Sequence, residues 1–127
     1  MKARTVLWIG LCGAAGACTR YLGLAWLASR LSSPFPWPTL VINLTGSFLL
    51  GLVTGLGVER GLIPPAYRAP ITAGYIGAYT TFSTWAVESM KLISHGHWLL
   101  ATGNVLVSVG LGLPAVWLGL ASSKLRR

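Results

Sequence analysis

Four long apolar stretches constrain the fold of this chain more than any other feature. A helix needs about 20 residues to cross the hydrocarbon core of a bilayer, and the stretches at about 5–28, 38–58, 69–90 and 98–121 reach that length. Only 9% of the 127 residues are charged and 54% are hydrophobic, whereas soluble domains carry about 25% charged residues. The sequence therefore predicts an all-α, multi-pass membrane protein with one four-helix domain over residues 1–127.

The positive charges lie near the ends of these stretches. The connections are short, so neighbouring helices are expected to be antiparallel, with both termini on one side. The cations expected on that side are Lys2, Arg4, Arg60, Arg68, Lys124, Arg126 and Arg127. Those expected on the other side are Arg20, Arg30 and Lys91. This bias predicts cytoplasmic termini, with residues 124–127 as a basic anchor. Cations at membrane edges also explain the net charge of +8 without a nucleic-acid partner.

The distribution of acidic residues narrows the classes of function. The chain has only two, Glu59 and Glu88, and neither falls in the middle of a predicted span. Proton-coupled transporters usually keep a carboxylate within the membrane, and many cation channels are lined by acidic rings. The sequence also lacks a catalytic triad, a phosphate-binding loop and a cluster of metal ligands, so an enzyme is not expected.

A polar stretch at 74–85 interrupts the third apolar segment. It contains two glycines and four threonine or serine hydroxyls, although hydrocarbon offers no hydrogen-bonding partners to hydroxyls or loosened backbone. A small membrane protein with such a stretch is expected to use it to hold an ion or to line a pore.

Several other side chains suit an anion, each with a purely structural alternative. The Asn43 amide offers two donors, or it forms a hydrogen bond between helices. Arg20 lies near a predicted membrane edge, where it draws anions into a vestibule or extends to the headgroups. The positive ring edges of Phe82 and Trp85 face an anion or pack in the interior.

The fourth stretch carries a polar face as well. Asn104, Ser108 and Gly112 recur at every fourth residue and therefore lie on one side of a helix. Such a face within lipid requires a partner helix or water.

Taken together, these residues resemble the Fluc (CrcB) family of fluoride channels over nearly the whole chain. The matching motifs are residues 13–17 with Arg20 and Tyr21, residues 39–48 and, most specifically, residues 77–84 followed by Glu88. The resemblance implies an antiparallel, dual-topology homodimer with two fluoride pores, in which the third helix breaks near the membrane centre. It implies passive fluoride export across the bacterial inner membrane, which protects the cytoplasm from fluoride toxicity.

The resemblance also implies roles for individual residues. Backbone carbonyls of Gly77 and Thr80 would hold one structural sodium ion at the dimer centre. Arg20 and Glu88 would belong to the vestibules. The residues that would line the fluoride pore are Asn43, Thr81, Phe82, Ser83, Trp85, Asn104 and Ser108.

This chain departs from the family pattern at some positions. Trp85 stands where the family usually has phenylalanine, and Asn104 where many relatives have tyrosine. The bias of seven cations against three contrasts with the near balance that dual topology needs. Two alternatives remain: a four-helix small-solute/proton antiporter, which would need a proton gradient, and a non-conducting membrane scaffold subunit.

Overall fold

The computed structural model describes residues 2–125, which are largely helical and contain no strand. The helices are α1 (Ala3–Arg30), α2 (Trp37–Thr54), α3 (Pro65–Ala69), α4 (Gly77–Tyr79), α5 (Phe82–Ser94) and α6 (Trp98–Leu125). The π-helical turn Gly55–Glu59 extends α2, and the π-helical turn Pro70–Ile76 joins α3 to α4. Arg126 and Arg127 of the predicted basic anchor lie outside the described residues, as does Met1.

These helices cover the four stretches chosen from the sequence. Two helical runs, Trp37–Glu59 and Trp98–Leu125, are long and apolar enough to cross a membrane, with mean hydropathy of 1.8 and 1.9. The third helical region, residues 65–94, is divided into shorter pieces, of which α5 has 13 residues. Membrane crossing by α1 and by the third helical region stays a prediction.

The division of the third helical region lies at Thr80 and Thr81. Both residues have extended backbone, with φ −83° and ψ 157° at Thr80 and φ −148° and ψ 114° at Thr81. Helix α5 begins directly afterwards, and the Thr81 hydroxyl accepts a hydrogen bond from the Thr84 N–H at 3.2 Å. Threonine is a favoured residue for this capping role, so the sequence at 81–84 stabilises a new helix start there.

Glycines set the closest approaches between helices. A Cβ added to Gly119 of α6 would collide with the Phe48 carbonyl of α2, and one added to Gly16 of α1 would collide with the Tyr75 carbonyl. Small residues let backbones approach in this way where lipid supplies no hydrophobic driving force between helices. Helices α1 and α6 therefore each hold a neighbour by direct backbone packing.

The distribution of exposed residues suits a lipid environment. The largest side chains with under 2% exposure are polar, namely Asn104, Thr39 and Ser123, whereas Leu99 is 86% exposed and Leu113 70% exposed. Buried polar and exposed apolar side chains are favoured in a bilayer, because hydrocarbon offers polar groups no hydrogen bonds and they must be satisfied inside the protein.

Candidate functional site

A groove of about 320 Å³ lies where α2, the interruption at Thr80 and Thr81, the first turn of α5 and the middle of α6 meet. Its lining residues are Asn43, Gly46, Ser47, Leu50, Thr80, Thr81, Phe82, Trp85, Ser108 and Val109. Five of the seven residues assigned to a pore from the sequence therefore come together here. Ser83 and Asn104 do not line this groove.

Asn43 holds the interruption in place. Its Oδ1 accepts a hydrogen bond from the Thr81 N–H at 2.8 Å, and its Nδ2 donates to the Thr81 carbonyl at 3.0 Å. The hydrogen bond between helical regions that the sequence offered as an alternative is thus present. It uses one of the two amide hydrogens, and the second has no acceptor among residues 2–125, so Asn43 still presents a donor at the groove.

The same geometry releases two backbone carbonyls. In a continuous helix the Thr81 N–H would bond the Gly77 carbonyl, and the Thr84 N–H would bond the Thr80 carbonyl. Here these donors go to the side chains of Asn43 and Thr81 instead. The carbonyls of Gly77 and Thr80 are therefore left without their helical partners.

The two carbonyls are candidate ligands for a cation. Residues 2–125 contain no group of three or more histidine, cysteine or acidic side chains able to hold a metal. Backbone oxygens suit a hard cation such as sodium. Gly77 is exposed and Thr80 half-buried.

The start of α5 gives the groove a positive character. Thr84 is capped, but within the described chain the N–H groups of Phe82 and Ser83 have no hydrogen-bond partner. The first turn of α5 also has no acidic residue. Free N–H groups and the helix dipole favour an anion at such a position.

The two aromatic residues form one unit at the groove wall. Their ring centroids lie 5.0 Å apart with planes at 43°, and Phe82 is 76% exposed. The Trp85 indole N–H points to the Asn104 carbonyl of α6 at 3.5 Å. The donor that tryptophan adds relative to phenylalanine is therefore turned towards the protein, and both aromatic residues line the groove.

Asn104 lies behind this wall in the single chain, and its assignment to the pore lining stays a prediction. The residue has 0% exposure, donates through Nδ2 to the Ser89 hydroxyl at 2.9 Å and accepts from the Ser108 hydroxyl at 3.4 Å. It therefore joins α5 to α6 and orients Ser108. Ser83 is exposed, and its hydroxyl lies 3.4 Å from that of Thr81.

Glu88 borders a second cavity, of about 370 Å³. The lining residues are Ser33, Pro34, Pro36, Glu88, Lys91, Leu92, His95 and His97. Thr39 donates to Glu88 Oε1 at 2.9 Å, while Oε2 is buried without a partner among the described residues. Arg20 lines neither this cavity nor the groove and has no hydrogen bond or ion pair within residues 2–125.

Polar side chains recur in a line along α2 from Thr39, which is bonded to Glu88 of the second cavity, to the groove. Thr39, Asn43 and Ser47 are spaced by four residues and therefore lie on one face of α2. The sequence reasoning did not include Thr39 or Ser47 in the site. Their spacing from Asn43 was the signal that would have found them.

The chain is similar to known proteins over most of its length. The family described as "CrcB-like protein, Camphor Resistance (CrcB)" matches residues 7–120. "Fluoride-specific ion channel FluC 2" of Symbiobacterium thermophilum is 51% identical over 107 residues, covering 84% of this chain and 87% of that relative. "Fluoride-specific ion channel FluC" of Koribacter versatilis is 47% identical over 116 residues, covering 91% of this chain and 92% of that relative. The matched range contains every residue of the groove and of the second cavity.

Proposed function

Because this chain belongs to the CrcB (Fluc) family, as its motifs predicted, we propose that it is a fluoride-selective ion channel. Relatives that share about half of its residues are named fluoride-specific ion channels. The observation that carries the proposal is the groove at the interruption. Its wall offers an amide hydrogen, a free helix start, hydroxyls and ring edges, and it contains no carboxylate.

These groups match the chemistry of a small, strongly hydrated anion. Fluoride leaves its water only where other donors replace it. The spare Asn43 hydrogen, the first N–H groups of α5 and the edges of Phe82 and Trp85 are neutral donors. They compensate the lost hydration without a buried cation that would trap the ion, which conduction requires.

The polar line on α2 suggests a route for the ion. Fluoride would pass between the second cavity and the groove along Thr39 and Asn43, with Glu88 at the vestibule holding the Thr39 hydroxyl. Arg20 would contribute to a vestibule through its charge. The residues that line the groove are not titratable, and fluoride would move passively down its gradient.

A second, antiparallel copy of the chain would complete the pore. In a single chain Phe82 is 76% exposed and the groove is open on one side, so the ion would meet lipid there. We therefore propose a dual-topology homodimer with two pores, in which the interruption at Thr80 and Thr81 is the break of the third span near the membrane centre.

The freed carbonyls support a structural sodium ion at the dimer centre. Gly77 and Thr80 have lost their helical donors to Asn43 and Thr81, and their oxygens would hold the cation together with those of the second copy. Sodium would supply the positive charge that keeps four carbonyl dipoles side by side. The proposed role in the cell is fluoride export through the bacterial inner membrane, which lowers fluoride toxicity.

Efflux from proteoliposomes tests the function directly. Purified protein is reconstituted into vesicles loaded with fluoride or with chloride, and the released ion is followed with the matching electrode. Rapid fluoride efflux with little chloride efflux is expected, without dependence on a proton gradient. Vesicles as tight to fluoride as protein-free ones would refute the channel and favour a scaffold, and flux that needs a proton gradient would favour an antiporter.

A further inference from the structure

A third cavity, of about 440 Å³, lies between the first turns of α1 and the start of the third helical region. Lys2, Arg4 and Thr5 line its outer part, and Trp8, Cys12 and Ile71 line its inner part. None of these residues belongs to the groove or to the second cavity. The third cavity is therefore separate from the proposed fluoride route.

The lining changes from cationic to apolar along one face of α1. Arg4, Trp8 and Cys12 are spaced by four residues and lie above one another on the helix. Eight residues correspond to about 12 Å of helix. The third cavity thus offers charge at one end and an apolar wall about 12 Å further along.

Backbone packing closes the inner end. A Cβ added to Gly74 would lie 2.8 Å from the Ile9 carbonyl and 3.0 Å from Cys12 Cβ, and Gly16 packs on the Tyr75 carbonyl. Because α1 and the π-helical turn Pro70–Ile76 touch at these points, the third cavity is a cleft between two helices that are fixed relative to one another.

The outer end has unbalanced positive charge. Within residues 2–125, Lys2 and Arg4 make no hydrogen bond or ion pair through their side chains. The first turn of α1 has no acidic residue and no side-chain cap, and the only acids of the chain, Glu59 and Glu88, do not line this cavity. The outer end of the third cavity is therefore suited to a group with negative charge.

We propose that the third cavity binds one anionic glycerophospholipid. Its phosphate lies against Lys2, Arg4 and Thr5, and the first part of an acyl chain lies along Trp8, Cys12 and Ile71. Basic pockets between transmembrane helices are suited to anionic headgroups, and Tyr67, 62% exposed at the rim, is a residue typical of the membrane interface. A free phosphate would use only the outer half of the cleft.

Lipid retention measured by native mass spectrometry tests the proposal. The full chain is released from detergent in the presence of phosphatidylglycerol or of phosphatidylcholine with identical acyl chains. Preferential retention of one phosphatidylglycerol per chain is expected. Since one cation near an anionic headgroup contributes about a five-fold effect, the double variant Lys2→Gln/Arg4→Gln should bind phosphatidylglycerol about 30-fold more weakly.

Two further variants separate this site from general attraction between cations and lipid. The control Arg30→Gln/Lys124→Gln removes two positive charges elsewhere and should keep the preference. Ala66→Trp fills the cleft without changing its charge and should lower retention of phosphatidylglycerol as well. Both alter exposed positions, and unchanged elution in size-exclusion chromatography establishes that they fold.

Several results would overturn the proposal. These are equal retention of the two lipids by the unaltered chain, an equal loss in the control variant, or undiminished retention by Ala66→Trp. Competition by millimolar glycerol 3-phosphate would assign the cleft to soluble phosphates instead of lipid. The fluoride efflux described above does not enter these measurements, so the two proposals fail independently.

Discussion

Asn43 serves two neighbours at once. Its side chain completes both hydrogen bonds of the Thr81 backbone, and its remaining amide hydrogen lies at the groove. Only a neutral amide combines an acceptor with two donors in this way. A carboxylate of the same shape would lose both donors and add a negative charge.

Replacing Asn43 with aspartate should therefore suppress fluoride flux. Two unit charges about 4 Å apart repel by about 4 kcal/mol in surroundings of intermediate polarity, so we expect efflux to fall more than tenfold in the electrode assay. Ser94→Asp adds the same charge at an exposed position outside the groove and should leave the rate unchanged. An unaltered rate in Asn43→Asp would remove this residue from the pore.

Phe82 provides a second test. Its ring is 76% exposed in the single chain and contacts Trp85, so Phe82→Ile is expected to remove mainly the ring edge. The loss of an aromatic interaction of about 1 kcal/mol should slow efflux about five-fold. Phe35→Ile, which removes an aromatic ring that contacts Trp37, is the control, and equal rates in both variants would argue against ring-edge coordination.

Single residues also show which parts of the candidate site can be predicted from the sequence. Asn43, Phe82 and Trp85 were found because amides and aromatic residues stand out within apolar stretches. The resemblance assigned Asn104 to the pore lining, and the four-residue spacing placed it on a polar face of α6, but neither indicates which neighbour covers that face. Its burial depends on Ser89, which belongs to another helix.

The start of α5 depends on one hydroxyl. Thr81→Ala removes the acceptor of the Thr84 N–H, and loss of such a cap costs about 1 kcal/mol. Lower resistance to thermal unfolding in detergent is expected. Thr81→Ser keeps the hydroxyl and should behave like the unaltered chain. If the alanine and serine variants unfold alike, the cap does not stabilise this helix start.

Helix α6 offers a matched pair of glycines. At Gly119 an added Cβ meets the Phe48 carbonyl of α2, whereas at Gly110 it meets nothing within 4 Å. Gly119→Ala should destabilise the chain by about 1–3 kcal/mol because backbone must shift. Gly110→Ala should be neutral or stabilising, since alanine favours helix by up to about 1 kcal/mol. Equal stability of the two variants would contradict close packing between α2 and α6.

The helices and their irregularities differ in how far the sequence predicts them. Apolar length alone indicates α1 and α6. The π-helical turns Gly55–Glu59 and Pro70–Ile76 carry no signal in apolar periodicity, because they depend on how each helix meets its neighbours. The polar run at 74–85 indicated where the third helical region would be irregular, but not that Asn43, 38 residues earlier, would supply the missing hydrogen bonds.

For the proposed dimer, removal of sodium is the most accessible test of the structural ion. Prolonged incubation of proteoliposomes without sodium should abolish fluoride efflux, because the carbonyls of Gly77 and Thr80 would repel one another without a cation. Vesicles kept in sodium serve as the control. Full activity after complete sodium removal would refute sodium binding at these carbonyls and leave the groove itself unaffected.

The distribution of positive charge bears on whether the whole molecule can insert in both orientations. Seven cations were expected on one side of the membrane and three on the other. Two of the seven, Arg126 and Arg127, lie beyond the described residues. A dimer with opposed subunits requires that both orientations insert. One phosphatidylglycerol held at Lys2 and Arg4 would offset one of the seven charges, and this brings the two sides slightly closer to balance.

The distance in sequence between Asn43 and Thr81 also determines which of the two partners is synthesised first. Asn43 is synthesised 38 residues before Thr81, so the amide is present before residues 77–84 are made. Until the two meet, nothing diverts the Thr81 N–H from a continuous helix. The interruption therefore has two origins: the cap between Thr81 and Thr84 is local, whereas the hydrogen bonds from Asn43 form only when α2 packs against residue 81.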